Sequence, residues 1–397
     1  MDAPNSSGRN MHPHPDRRRF SSGLVLRGFK SLARDHGPSS FQYDNSIQEL
    51  YTLENINWKR DHWDRLRSNL LPLIEQQLIT LSQLLEPNHL QKEPEFTFNL
   101  IVGVQSQLVQ TFDQIRSAIL ILWPKLPEEL QSNRINDQEF KELKRFRVRG
   151  LHRMITEEVL PEFNKLFRCS YHLITGTQAR SSLQHKRITI FTSSSRNAIK
   201  RTIVWLERSE CEFLVQNYWQ KDPLNCNERL EQLSILITRG AFDPQEPNGQ
   251  VLNKRAMGLA KSIIPIIKLS RLFFKNLARW ASKQTQLPLF TGMRSDQLET
   301  LSKTHEAVAD CLNKFTSFLS KVVTDNRRAC SGDFANNLTT LEARYEAVLF
   351  LVSFYLIPLI PDTDRSRAYD HFQDLFRPWS HQFSLAVVNL LDASKLI

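Results

Sequence analysis

The sequence predicts an all-α fold, a multi-helix bundle of long amphipathic helices divided into two packed subdomains. Three observations carry that prediction. Apolar residues recur at spacings of three and four over nearly the whole chain after residue 44, the period of a helix with one buried face. Glycine is scarce, 12 of 397 residues, where usage of roughly 7% is ordinary, and glycine chiefly serves turns and left-handed backbone. Hydrophobic residues make up 41% and charged residues 24%, the balance of a chain with enough apolar surface to offset the entropy of ordering.

Taken in order, residues 1–40 read as a disordered basic tail. Pro, Ser, Asn, His and Arg dominate it, "DHGPSS" closes it, and only "RRRFSSGLVLRGFKSLAR" in its middle has helical character. A stripe of Leu66, Leu70, Leu73, Ile74, Leu78, Leu81 and Leu85 predicts a helix ending at Glu86-Pro87-Asn88. A second helix runs from about 94 to 123, where "WPKLP" stops it, because proline pushes the preceding residue out of the α region. A third begins near Asp137 and continues to about Leu173, with a kink at Pro161. A fourth spans about 188–220 with a break at "TSSSRN", and a short helix follows to Ile237. "TRGAFDPQEPNGQ" at 238–250 is the best linker, so the expected organisation is an N-terminal bundle over 41–240 and a C-terminal bundle over 251–397. The second bundle is expected to hold helices at about 251–285, 295–326, 335–360 and 365–394.

Five cysteines without a CxxC pair, the absence of an N-terminal apolar segment and the lack of an 18-residue apolar run predict an intracellular protein of cytoplasm or nucleus. Charge is unevenly distributed. Residues 137–202 carry a net charge of +8, and residues 247–295 carry +9 without a single acid. Within the first block Lys141, Arg145, Arg149 and Arg153 repeat every four residues. Within the second, Lys268, Arg271, Lys275 and Arg279, continued by Lys283, repeat at three and four. Like charges at that spacing repel by roughly 0.2–0.5 kcal/mol per pair, so each stripe needs acids from a neighbouring helix or an anionic partner. These eight residues are the candidate partner- or anion-binding set. The helix bearing the second stripe, "SIIPIIKLSRLFFKNLARWASKQ", is apolar around more than half its circumference, which predicts a core helix with only its basic ladder outside.

Chemistry-bearing motifs are missing. No G-x-G and no Gly-Lys-Ser/Thr is present to cradle phosphates, and HExxH and G-x-S-x-G do not occur. "DTDRSRAYD" lacks the glycine and the terminal Glu of a calcium loop and reads as a helix start. Cys169 and His172 lie one turn apart, but nothing in the pattern supplies the third, orienting group that catalysis needs. The expectation is therefore a non-enzymatic protein with no cofactor and no metal.

"RTIVWLERSECEFLVQNYW" (201–219), "SIIPIIKLSRLFFKNL" (262–277) and "SDQLETL" (295–301) resemble a lineage-restricted family of helical proteins of rust fungi, over about residues 45–395. In architecture alone the chain is also similar to cyclin-D-binding-type helical bundles. The first resemblance implies no activity; the second implies an adaptor. The expected function is a protein–protein interaction module, with an unidentified protein as partner. The alternative is a peripheral binder of anionic membrane or nucleic acid through the two basic stripes.

Overall fold

The computed structural model describes residues 15–36, 53–123, 136–176, 181–220, 225–242, 254–284, 287–325 and 331–395, and all of its regular elements are helical. The chain divides into two compact units. Unit 1 is Met1–Arg134 with Glu142–Glu207, and unit 2 is Ile135–Lys141 with Arg208–Ile397.

Unit 1 contains α1 (Pro15–Asp35), α2 (Leu53–Arg65), α3 (Leu71–Leu84), α4 (Pro87–Lys92), α5 (Pro94–Leu122), α6 (Arg145–Arg153), α7 (Leu160–Thr175) and α8 (Ser181–Glu207). Turns of π-helix at Leu66–Leu70 and Met154–Val159 join α2 to α3 and α6 to α7. The second of these replaces the kink expected at Pro161, which sits instead in the first turn of α7, where its missing N–H costs little. Helix α5 packs against α1 and α3, and α7 against α1 and α8. At their centre the Phe112 ring meets Phe163 edge-on at 5.4 Å and stacks on His36 at 5.0 Å.

Residues 15–35 are thus not a tail. Val25, Phe29 and Leu32 are buried at spacings of four and three, a stripe short enough to be masked by the surrounding Arg, Ser and Gly. Gly28 makes the packing possible. A Cβ there would lie 2.1 Å from Gln105 Oε1, and the Gln105 amide instead reaches past it to donate to the Val25 carbonyl at 3.0 Å. Gly150 does the same for Trp205, whose ring would be 2.0 Å from an added Cβ. The Trp205 indole donates to the Arg147 carbonyl at 3.2 Å, and Arg147 Nη2 returns a bond to the Leu206 carbonyl at 3.2 Å.

Unit 2 contains α9 (Glu210–Leu214), α10 (Cys226–Phe242), α11 (Lys254–Ser282), α12 (Ser295–Asp325), α13 (Ser331–Leu351) and α14 (Asp362–Lys395), with π-turns at Val215–Trp219 and Val352–Leu356. Helix α11 is its axis and packs against α10, α12 and, most extensively, α14. Phe273 on α11 lies within 4.6 Å of the Tyr345 ring, 4.8 Å of Trp379 and 5.4 Å of Phe376. Two indoles tie the helices together: Trp280 donates to the Ala368 carbonyl at 3.0 Å, and Trp379 donates to the Leu269 carbonyl at 2.8 Å. Buried acids hold the connections. Glu210 Oε2 accepts from the Thr291 backbone N–H at 2.8 Å and from its hydroxyl at 2.7 Å. Asp137 accepts from the Ser295 N–H at 2.9 Å and from its hydroxyl, capping α12 from 158 residues away.

Four sequence expectations change besides the tail. The helix expected from Asp137 starts only at Arg145, after a 3-10 segment at Gln138–Leu143. No break occurs at "TSSSRN", and α8 runs through it. The chain breaks at Arg208, where Ser209 and Glu212 form a capping box for α9. The boundary between units therefore falls at Glu207/Arg208 rather than at 238–250, because α10 packs on α11 and joins the second unit; residues 243–250 of the expected linker lie outside the described residues. Among the described residues there is no strand, and no helix is long and apolar enough to cross a membrane.

Two outcomes follow from this packing. Phe273→Ala should lower the unfolding free energy by about 3–5 kcal/mol, as for other buried aromatics, whereas Lys275→Glu on the outer face of the same helix should stay within about ±0.5 kcal/mol; urea denaturation monitored by circular dichroism measures both. His36 is buried with Nδ1 lacking a hydrogen-bond partner, and burial lowers its pKa from the usual 6.5, against smaller opposing pulls from Asp113 and Asp35. Below the ordinary value the unfolded chain binds the proton that the folded chain refuses. Stability is then full above about pH 6.5 and declines as pH falls through the folded value. The thermal midpoint should drop between about pH 7 and about pH 5, and His36→Phe, which keeps the stack on Phe112, should make that drop shallower.

Candidate functional site

Helix geometry and burial decide which of the two basic stripes is a surface. The first dissolves. Lys141 is exposed and belongs to unit 2, while Arg145, Arg149 and Arg153 belong to α6 in unit 1, so the four do not share one helix face. Lys141 also has φ 53° and ψ −116°, a positive-φ conformation that breaks the helix between the two groups. Arg145 lies over the Trp123 ring at 5.5 Å and is half-buried, as is Arg149. Arg153 is exposed at the end of α6. The neighbours that would have widened the stripe, Lys144 and Arg147, are buried, and Arg147 sits over Trp63 at 5.7 Å.

The second stripe is continuous and outside. Lys268, Arg271, Lys275, Arg279 and Lys283 are all exposed, and so is Lys261 two turns earlier. Ile263, Ile266, Ile267, Phe273, Phe274, Leu277 and Trp280 are buried, so the helix is a core element with its cations on the remaining arc. At 3.6 residues per turn the six cations fall within roughly 120° of the circumference, and Lys268 to Lys283 spans about 22 Å. Leu272 is the one large apolar side chain of α11 that is exposed among the described residues.

Among the described residues none of the six cations has a carboxylate partner. Arg271 donates instead to the neutral Asn227 side chain at 2.8 Å. Lys283 Nζ lies 3.3 Å from His371 Nε2. Burial lowers the His371 pKa first, then the charge of Lys283, with Asp374 opposing and Arg279 adding to the fall. A neutral imidazole whose Nε2 accepts from the ammonium fits that surrounding.

At this end of the ladder a cleft of about 420 Å³ opens between the last turn of α11 and the first turns of α14. Lys283, Arg367, His371 and Asp364 line it, over a wall that includes Leu287 and Ile360. Asp364, Arg367, Ala368 and His371 are spaced three and four apart and share one face of α14. The floor is fixed, because the Ala368 carbonyl takes the Trp280 indole and the Gln284 amide caps the Trp280 carbonyl at 3.0 Å. A neighbouring cleft of about 300 Å³ is lined by Ser209, Glu212, Gln216, Gln220 and Ser282 and shares Gln284 and Leu287 with the first. Neither His371 nor Arg367 stands in any sequence pattern that marks it as functional. Lys283 and His371 are 88 positions apart, so only the fold joins them.

Other candidates hold less. The Cys169 thiol donates to Gln184 Oε1 at 3.1 Å, and burial raises its pKa, away from thiolate character. "DTDRSRAYD" opens α14, with Asp362 paired to Arg365 at 2.7 Å. Among the described residues no group of three or more His, Cys, Asp or Glu side chains is placed to hold a metal ion.

Fold and site together define an all-α protein of two helical units whose second unit displays a cationic ladder ending in a cleft. Residues 59–207 match the family model described as Domain of unknown function (DUF8723), and residues 209–392 match that described as Domain of unknown function (DUF8721). The gap between the two matches coincides with the break at Glu207/Arg208. Helix α1 lies outside both. No curated protein and no solved structure matches the chain.

The conformation at Lys141 yields a direct test. Left-handed backbone with a Cβ costs roughly 1–2 kcal/mol relative to glycine. Lys141→Gly should therefore raise the thermal midpoint, and a scanning calorimetry trace showing a lower one would mean that the lysine side chain stabilises the turn.

Proposed function

We propose that the protein is a non-enzymatic intracellular interaction module whose α11 ladder docks an acidic segment of another protein. The observation that carries this reading is the set of six exposed cations on one arc of a rigid core helix, none with a carboxylate partner among the described residues. Such a row repels itself and is stabilised by any partner presenting carboxylates at helical or extended spacing. The burial of Phe273, Phe274 and Trp280 favours a polypeptide over a membrane, since amphipathic helices enter a bilayer interface through exposed apolar side chains and, among the described residues, Leu272 is the one large apolar side chain that α11 exposes. It also favours a polypeptide over single-stranded nucleic acid, whose bases need exposed aromatic rings to stack on.

Fluorescence anisotropy with a labelled glutamate-rich peptide tests this. Binding is expected in low salt, weakening steeply as salt approaches about 0.5 M because exposed charges are screened. The triple variant Lys268→Glu, Lys275→Glu, Arg279→Glu should lose binding while keeping its melting temperature. Equal binding by the triple variant, or tighter binding of a DNA duplex than of the peptide, would sink the reading.

A further inference from the structure

The geometry points to the cleft at the end of the ladder as a phosphate-monoester subsite, which takes a phosphorylated serine or threonine within the acidic partner. This rests on the reading of α11 as the docking helix and adds what that reading lacks, a feature that distinguishes one acidic segment from another.

The donors are of the right kind and converge. Lys283 ends the ladder and approaches His371 at 3.3 Å, and Arg367 projects from α14 one turn before His371. None of the three has a carboxylate partner among the described residues. An ammonium has three donors, of which the imidazole takes one, and the planar guanidinium fork suits two phosphate oxygens at once. The six cations of the ladder are single charges in a row, a match for carboxylates; here an ammonium, a guanidinium and an imidazole border one open cleft, a match for a dianion with three acceptor oxygens.

The remaining lining residues argue for a peptide-borne phosphate. Asp364 stands in the same cleft, exposed. Its carboxylate opposes a bare anion but accepts a hydrogen bond from a backbone N–H beside a phosphorylated side chain. Leu287, Ile360 and Pro361 give an apolar wall for the carbon atoms of that residue. Binding also answers the Lys283–His371 contact. With the dianion seated, Lys283 turns its charge to phosphate and His371 gains a reason to protonate. The charged groups around His371 are Lys283 and Arg279 from α11 and Asp364, Arg367 and Asp374 from α14. Of these only Asp374 now raises its pKa enough to register against burial and the two α11 cations.

The experiment uses the full chain and two labelled glutamate-rich peptides, identical except that one carries phosphoserine where the other carries serine. The phosphopeptide should bind about tenfold tighter, and Arg367→Ala or His371→Gln should remove that preference. Nuclear magnetic resonance should show the His371 imidazole pKa rising by about one unit in the phosphopeptide complex. Equal affinities for the two peptides overturn the subsite while leaving the ladder reading intact. If neither peptide binds, the ladder reading fails, and O-phosphoserine alone then decides the cleft: a shift of the His371 resonances that Arg367→Ala abolishes supports it, and no shift overturns it. Vesicles containing phosphatidylinositol 4-phosphate provide the other source of the same chemistry. Sedimentation with them that depends on Arg367, without any preference between the peptides, overturns the peptide assignment.

Discussion

The rotation of α11 about its own axis is fixed by two indole N–H groups. Trp280 reaches from α11 to the Ala368 carbonyl of α14, and Trp379 reaches back to the Leu269 carbonyl of α11. A helix carbonyl has a second lone pair beyond the one used in its own ladder, so both bonds are made without breaking either helix. Because each is directional and buried, turning α11 even by one residue would strand two indoles in an apolar core. Phe273, surrounded by Tyr345, Phe376 and Trp379, fills the space between the two anchors. With that face committed, the residues at the opposite positions must face water, and those residues are Lys268, Arg271, Lys275 and Arg279. Unit 1 repeats the device with Trp205 and Arg147, where the guanidinium supplies the return bond.

The same logic separates the basic stripe that is a surface from the one that is not. Both are regular in sequence. Between Arg145 and Arg149 stand Phe146, Arg147 and Val148, all buried, with Arg147 held over Trp63 and the next residue, Gly150, against Trp205. Around Lys275 the neighbouring positions are Phe273, Phe274, Asn276 and Leu277, all buried, with Asn276 the polar one among them. The difference lies in the backbone that carries the charges: positive φ at Lys141 interrupts the first stripe, whereas one unbroken helix carries Lys268 to Arg279.

Much of unit 2 could be read in advance for that reason. Helices expected at 295–326 and 365–394 are found at Ser295–Asp325 and Asp362–Lys395, since long three-four stripes survive any local irregularity. What stayed hidden had weaker local signals. Val25, Phe29 and Leu32 are only three residues in a field of Arg, Ser and Gly, and their burial depends on α5 and α7 arriving from far along the chain. The break between the units carries no proline or glycine, only the Ser209–Glu212 capping pair, whereas the proline-rich stretch after Phe242 looked like a boundary and is internal. The cleft was unreadable in principle, because Lys283 and His371 come together through the pairing of α11 with α14 and through nothing in their own neighbourhoods.

The short crossing at Ile135–Lys141 lends Asp137 to the start of α12, although everything on either side of it belongs to unit 1. A segment that begins at Arg208 would encode every α-helix of unit 2 and still leave the Ser295 N–H and hydroxyl without the carboxylate that accepts from them. Genetic exchange that moves one unit as an uninterrupted block therefore delivers it incomplete. A block cut near residue 208 would need Asp137, from 71 residues earlier in the chain, to complete the start of α12.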